Sequence, residues 1–311
     1  MFRIMPNKIA VALVLISSAL TARAEFINDR QVINVKEYGA VGDNATNDSN
    51  AIKAALAAAI TSGKPLYFPT AIYNVGTSQL VFLLNSALTS GVYIYGDGVA
   101  RSIINAMNVT TSPQVLFTNT EPPSRTAWNF SIKEIGFYNY TTGAGVQFGN
   151  EDFSDSFQKP TIDILALNFH NASTARAVEM NSVANGKIRL VANVATNGTG
   201  LLLRQATYNH FTGSVGAVAG TSIRLTDGAN KGNVFMAMDM ENVDTCIISD
   251  SPANEANTFI GGTFSYMKNG VISTAGKGLI IINPGTNPAP PGTLAGFAGA
   301  STGLTIIPAK L

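Results

Sequence analysis

A repeat of 24 residues constrains the fold of this chain more than any other feature. An Asn-x-Phe triplet recurs at this spacing, and an apolar residue follows each Phe by 12 positions. The triplets begin at Asn209, Asn233 and Asn257, and the apolar residues are Ile223, Ile247 and Val271. A period of this length predicts a repeat protein in which each unit buries its apolar side against its neighbours.

Less regular blocks of the same kind precede the triplets. They start at Ile132, Ile164 and Ile188 and close at Val146, Val178 and Leu201. Within the blocks, short stretches that alternate apolar and polar residues are broken by Asn and Gly, which indicates strands and turns rather than helices. The expected core residues are Phe235, Met238, Met240 and Ile247 in one block and Ile164, Leu167, Phe169 and Val178 in another.

These blocks predict an all-β fold, a single-stranded right-handed parallel β-helix with coils of about 24 residues stacked at the strand spacing of roughly 4.8 Å. The Asn that begins each coil is expected to adopt a left-handed turn conformation and to form a hydrogen-bonded ladder with its counterparts. Cys246 has no second cysteine to pair with, and its apolar neighbours favour a structural strand position.

The first 24 residues have the pattern of a signal peptide. Arg3 and Lys8 precede an apolar run from Ile9 to Leu20, which a small-x-small site at residues 22–24 follows. The run is too short to span a bilayer. We therefore expect a secreted or periplasmic protein without a membrane span, whose mature chain starts near Glu25.

The rest of the chain divides into three parts. Residues 25–128 are predicted to form an N-terminal cap and the first coils, residues 129–282 the regular coils, and residues 283–311 a Pro- and Gly-rich tail or cap. In the first part, 33–37 is predicted as a strand, 39–47 as a polar loop, and Asp48 or Ser49 as the N-cap of a helix over about 50–61 that covers the first coil. In the second part, Leu279–Ile282 is predicted to begin a further coil. In the third part, Leu304–Ile307 is predicted to supply one last strand.

Three motifs of the first part resemble a known family. VKEYGAVGD (35–43), NDSNAI (47–52) and LYFP (66–69) are similar to the opening segment of the pectate-lyase-like superfamily, which includes tailspike and polygalacturonase-like proteins. The chain departs from the usual pattern at Asn44, at Asn47 and at Thr70-Ala71. The resemblance implies a right-handed parallel β-helix that acts on polysaccharide, in a family of hydrolases, lyases, epimerases and non-catalytic binding proteins.

The catalytic motifs of the familiar branches are missing. The sequence has no Asn-Thr-Asp, Asp-Asp, Gly-His-Gly and Arg-Ile-Lys set, no Arg-x-Pro-x-x-Arg and no Asp-Pro-His-Glu. A standard pectinase is therefore disfavoured.

A pair of acids is the leading catalytic candidate. Asp239 and Glu241 are predicted to face outward on one strand, with Cα atoms about 6.6 Å apart. Two carboxylates at such a separation suit glycosidic cleavage, in which one acts as acid and the other as base or nucleophile. Asp244 is a third candidate, and the small residues Ser214, Gly216 and Ala217 are expected to leave a groove beside the pair. The alternative is that these acids are ordinary solvated surface.

Four further residues are candidates for substrate binding. Aligning the coils places Asn168 and Val215 in the column of Asp239, and Tyr138, His170 and Ala217 in the column of Glu241. Tyr138 and His170 would form a wall that stacks on or hydrogen-bonds to sugar, and Arg224 could bind the carboxylate of an acidic glycan.

The predicted function is a secreted polysaccharide-processing enzyme, a glycoside hydrolase or polysaccharide lyase that acts along the groove. The alternative is a non-catalytic glycan-binding or surface-structural β-helix. Two His and one Cys offer no zinc-ligand spacing, so we expect neither a metal nor another cofactor. Basic residues are scattered at a net charge of +1, which disfavours nucleic acid as a partner. The sequence leaves a monomer and a trimer equally open.

Overall fold

The strands of this chain stack in parallel, coil upon coil, as the repeat predicts. The computed structural model describes residues 32–84, 91–119, 125–241, 243–265, 267, 269–273, 275–282, 285–287 and 304–307. The predicted signal peptide lies outside these residues, as does most of the predicted tail. The unit from Ile33 onward is a parallel β-solenoid whose strands pair with the coil before and the coil after.

The largest sheet consists of two stacks of strands that share four long members. Ser131–Asn139, Thr161–Asn171, Lys187–Thr196 and His210–Ala217 each contribute a first half to one stack and a second half to the other. The first stack also contains Ile33–Asn34, Leu66–Phe68, Tyr93–Gly96, Val234–Met236, Thr258–Ile260, Leu279–Ile282 and Leu304–Ile307. The second stack also contains Asp43–Asn47, Ala71–Asn74, Ser102–Asn105, Asp239–Glu241, Thr263–Ser265 and Gly285–Asn287.

Two smaller sheets complete the coils. The eight-stranded sheet contains Leu80–Leu83, Val115–Thr118, Ala144–Phe148, Arg176–Asn181, Thr199–Arg204, Thr221–Leu225, Thr245–Ser249 and Asn269–Ser273. The three-stranded sheet contains Thr126–Trp128, Ser156–Gln158 and Val183–Ala184. The coil closings predicted at Val146, Val178 and Leu201 pair in register with one another and with Ile223, as do Ile247 and Val271 beyond them.

The predicted asparagine ladder is present in the core. Asn209 Nδ2 donates to Asn233 Oδ1 at 3.0 Å, and Asn233 Nδ2 donates to Asn257 Oδ1 at 2.8 Å. A second ladder, which the sequence did not indicate, joins Asn230 to Asn254. Beside the first ladder, the rings of Phe211, Phe235 and Phe259 stack with centroids 4.7 and 4.1 Å apart.

The turn conformation expected of the ladder asparagines is wrong. The left-handed residue is the one before each Asn, namely Tyr208 (φ 56°), Gly232 (φ 61°) and Ala256 (φ 53°). This arrangement leaves each Asn free to turn its side chain into the core, where its amide satisfies the neighbouring coil's backbone.

The expected register of one upstream coil is also wrong. Ile162, not Ile164, pairs with Ile132 and Ile188 at the coil start. Ile162, Ile164 and Ala166 are buried, whereas Leu167 faces outward and Phe169 is 41% exposed. Thr161–Asn171 has no counterpart of the extra residue, Glu134, that interrupts the pairing in Ser131–Asn139, so its inward positions recur every two residues and the expected interval of three from Ile164 to Leu167 ends on the outer face.

The N-terminal helix covers the first coil as predicted. It spans Ser49–Ser62, and Ile52, Leu56 and Ala59 are buried along its inner side. Asp48 occupies the N-cap position, but its carboxylate accepts hydrogen bonds from the backbone of Val41 and Gly42 instead of from the helix. In the part of the chain that the structure describes, no helix is long and apolar enough to cross a membrane.

The segment before this helix differs from its prediction. The expected strand at 33–37 is a two-residue strand followed by a 3-10 helix at Val35–Tyr38. The expected loop contains the strand Asp43–Asn47, whose Asp43 accepts hydrogen bonds from Ala45 and Thr46 in a local turn.

Candidate functional site

A groove of about 360 Å³ crosses the outer face of the second stack. Its outward-facing lining residues come from four successive coils, which span about 14 Å at roughly 4.8 Å per coil. They are Leu167 and Phe169, Asn193 and Ala195, Ser214, Gly216 and Val218, and Asp239 and Glu241. The groove thus brings together the predicted acid pair and an apolar wall.

Asp239 and Glu241 lie on one strand and project to the same side, as predicted. Asp239 is half-buried and Glu241 is exposed, whereas Met240 between them is buried in the core. Burial raises the pKa of Asp239, and the charge of Glu241 and a hydrogen bond between the two side chains raise it further. One carboxyl oxygen of Asp239, Oδ1, is buried without a hydrogen-bond partner. Asp239 therefore retains a proton to a higher pH than an ordinary aspartate.

Gly216 keeps the floor of the groove open. A Cβ atom at this position would lie 2.9 Å from Asn193 Oδ1 and 3.5 Å from the backbone oxygen of Glu241. A larger residue would therefore fill the space between the amide and the acid pair. The prediction that small residues leave a groove here is confirmed for Ser214 and Gly216, whereas the side chain of Ala217 is buried at 2% exposure.

The predicted columns beside the acid pair are shifted. Ser214, not Val215, pairs with Asp239, and Leu165, not Asn168, pairs with Gly136. Tyr138 pairs with Leu167, so His170 is not its neighbour in the column. The outward residues that the sequence analysis missed are Phe169 and Asn193, and strict alternation from the buried Ile162 and Ile188 places both on the outer face.

Tyr138 lies on the outer face, where its ring meets the ring of Phe169 edge to face at 5.7 Å. His170 packs against Tyr140 instead, with ring centroids 4.8 Å apart. Asn168 is 1% exposed, and its amide is occupied by backbone groups of Thr141 and Arg176. The aromatic wall is therefore formed by Tyr138 and Phe169, and Asn168 lies beneath it.

Arg224 lies apart from the acid pair. It belongs to the eight-stranded sheet, where its guanidinium donates to Asp250 Oδ2 through Nε at 2.9 Å and Nη2 at 2.5 Å. On the same sheet, the fully buried Glu179 is held by Arg176 at 2.6 Å and by Arg204 at 3.3 Å. The arginines on this sheet are thus matched with carboxylates of the protein itself.

Asp244 follows the strand of the acid pair at the bend into the eight-stranded sheet, where its backbone N–H donates to Gly220. It is not among the residues that line the groove.

Cys246 is buried, and burial raises the pKa of its thiol to about 12, which fits the structural position predicted for it. Among the described residues, no group of three or more His, Cys, Asp or Glu side chains could hold a metal ion.

Comparison with curated proteins finds partial relatives. Mannuronan C5-epimerase AlgE1 of Azotobacter vinelandii is 36% identical over 78 residues, which are 25% of this chain and 6% of that protein. Alginate lyase 7 of the same organism is 36% identical over 76 residues, which are 24% of this chain and 9% of that protein. The match thus spans less than a tenth of the length of either relative.

Solved structures share the fold. The ORF18 protein of Geobacillus virus E2 superposes with a TM-score of 0.62 at 16% identity, over 89% of this chain and 61% of that one. The gp42 tailspike of Acinetobacter phage vb_AbaP_AS12 superposes with a TM-score of 0.56 at 12% identity, over 85% of this chain and 48% of that one. At these identities the likeness concerns the solenoid alone.

The resemblance noted in the opening segment extends through the regular coils. The family model described as rhamnogalacturonase A/epimerase, pectate lyase-like matches residues 32–271, which is well over half of the chain and includes every residue of the groove. The chain therefore belongs to the rhamnogalacturonase A/epimerase, pectate lyase-like family.

Proposed function

We propose that this protein is a polysaccharide-processing enzyme, a glycoside hydrolase or lyase, and that Asp239 and Glu241 are its catalytic pair. The observation that carries the proposal is the raised pKa of Asp239 beside Glu241 in an open groove. A carboxyl group whose pKa is raised beside a second carboxylate is a usual source of an acid and a base in one site. The family membership and the partial relatives named as an epimerase and a lyase support a carbohydrate substrate.

The roles follow from the environments of the two groups. Asp239 is the more buried and its pKa is raised, so it serves as the general acid on the glycosidic oxygen. Glu241 is exposed to the groove and serves as the nucleophile or base. The two side chains share a hydrogen bond, so their carboxyl groups lie closer together than the ~6.5–9.5 Å of inverting glycosidases, a separation that leaves room for a water between the groups. A hydrolase with this pair would therefore retain the anomeric configuration.

The predicted signal peptide at residues 1–24 supports action outside the cytoplasm, where extended polysaccharides are met. Processing of the chain near Glu25, measured by N-terminal sequencing of protein from the extracellular or periplasmic fraction, tests this location.

The test of function compares product release by the wild type with that of Asp239→Asn and Glu241→Gln. Reducing-end release across a polysaccharide panel measures hydrolysis, and new absorbance near 235 nm, from an unsaturated uronate, measures elimination. We expect each variant to lose about 10²- to 10⁴-fold in activity, as for a lost general acid or base. Glu255→Gln is the matched control, since Glu255 is exposed, paired with Lys231 and absent from the groove.

Full turnover by both variants would contradict the assignment of the catalytic pair. Glycan binding without any turnover by the wild type would instead favour a non-catalytic glycan-binding protein.

A further inference from the structure

The groove combines an acid pair with an otherwise uncharged lining. Among the described residues that line it, none is a lysine or arginine, and the polar groups besides the acid pair are amides and a hydroxyl. The remaining lining is apolar, and Phe169 presents 41% of its surface. Such a surface suits the C–H faces and hydroxyl groups of sugars, but it offers no counter-ion to an anionic substrate.

A substrate carboxylate in this groove would lie beside like charge. The charge of Glu241 already raises the pKa of Asp239, so a third carboxylate would meet the same repulsion. Like charges brought together across an interface act against binding. Three arginines belong to the eight-stranded sheet, where Arg176, Arg204 and Arg224 are matched with Glu179 and Asp250. Arg189 lies on a strand of the groove but outside its lining, and it is paired with Asp163 at 3.4 Å.

We infer that the groove selects an uncharged glycan and excludes polyuronates. This inference rests on the proposed function, because it names the substrate class of the same groove, and it favours the hydrolase over the lyase, because the lyase product is an unsaturated uronate. A chain of a few sugar units would lie along the groove with its rings against Phe169 and Leu167 at one end and its scissile bond beside Asp239 at the other. Asn193 and Ser214 would contact its hydroxyl groups between these ends.

The experiment measures binding of wild-type protein, by affinity electrophoresis, to matched pairs of polymers. Polygalacturonate and alginate are each compared with their carboxyl-reduced forms, beside uncharged glucan, galactan, arabinan and mannan. We expect at least one uncharged polymer to bind, and every uronate polymer to bind at least tenfold more weakly than the best uncharged one. Gly216→Val, which fills the groove floor, should abolish the binding and so locate it.

A charge reversal makes the test specific to the groove. Ser214→Lys places a cation beside the acid pair, and we expect its binding to polygalacturonate or alginate to rise at least tenfold over the wild type. Thr212→Lys adds the same charge to the same strand at an exposed position outside the groove lining, and it should leave binding unchanged. Asn193→Lys is the second variant if Ser214→Lys does not fold.

Three results would overturn the inference. In the first, the wild type binds a uronate polymer as tightly as the best uncharged polymer. In the second, it does so only after Ca²⁺ is added to bridge the carboxylates. In the third, it binds no uncharged polymer at all. Preference for uncharged polymers without turnover would keep the inference and refute the catalytic proposal, so the two failures are distinguishable.

Discussion

Two carboxylates on different sheets of the solenoid have contrasting surroundings. Glu179 is fully buried in the eight-stranded sheet, where Arg176 and Arg204 both reach it. Asp239 is half-buried in the groove, where its neighbour is another acid and one of its oxygens has no partner. Two cations match the first carboxylate, whereas the second has a raised pKa. The comparison shows that a buried carboxylate group can be structural when cations lie beside it. The neighbouring side chain, more than burial, distinguishes it from a candidate catalytic carboxylate.

The largest loss of stability is expected from substitution of Glu179, the carboxylate that is paired with arginines. Glu179→Gln leaves two arginines facing a neutral amide in a buried setting, and breaking such a buried pair costs about 3 kcal/mol or more. Urea unfolding measures the loss. Glu151→Gln is the control, because Glu151 is 57% exposed and lies 3.9 Å from the same arginines, so its loss should stay within about 0.5 kcal/mol. An unchanged unfolding midpoint in Glu179→Gln would remove the distinction between the two carboxylates.

A smaller effect is expected at the exposed ion pair of the eight-stranded sheet. The side chain of Arg224 is 44% exposed and that of its partner Asp250 is 20% exposed. Arg224→Gln should therefore cost no more than about 1 kcal/mol of stability, and it should not alter glycan binding, because Arg224 does not line the groove. Urea unfolding and affinity electrophoresis check the two expectations. Tenfold weaker glycan binding would place Arg224 in the site and extend the substrate across both sheets.

The smallest change in stability is expected from substitution of Asp239 in the groove. In the folded protein the pKa of Asp239 lies above the ordinary value of 3.8, so the folded state keeps a proton that the unfolded chain has released. The resulting stabilisation is complete below pH 3.8 and is lost as pH rises through the folded pKa. At pH 7, Asp239→Asn should be within about 0.5 kcal/mol of the wild type, with any difference in favour of the variant.

Unfolding of both proteins at intervals from pH 3 to pH 7 measures this trend. Relative to the variant, the wild type should lose stability as the pH rises. A variant that is clearly less stable at pH 7 would show that ionised Asp239 has a stabilising partner, as Glu179 has.

The fold was predictable because the last regular coils repeat the same residue types in the same places. Asn209, Asn233 and Asn257 identify the coil starts directly, so the outward position of Asp239 and Glu241 followed by counting. The earlier coil that contains Thr161–Asn171 has no such marker. In Thr161–Asn171 both faces carry apolar residues, with Ile162 and Ile164 inside and Leu167 and Phe169 outside. Alternation of polarity therefore could not choose the register.

The carboxylate partners of the arginines could not be predicted from the sequence, for a different reason. Arg224 and Asp250 are 26 residues apart, slightly more than one coil, and only the lengths of the intervening turns bring them together. The same holds for Arg204 and Glu179 in neighbouring coils. A charge in the sequence does not reveal whether the next coil supplies its counter-ion.

The asparagine ladders also determine how the chain can reach its native state. Each ladder bond joins residues 24 positions apart, which is one coil. Forming such a bond closes a loop of one coil only, so the entropy lost at each step is the same small amount however long the solenoid is. Folding can then nucleate in any pair of neighbouring coils and extend outward from it, at a rate governed by a single coil rather than by the whole chain.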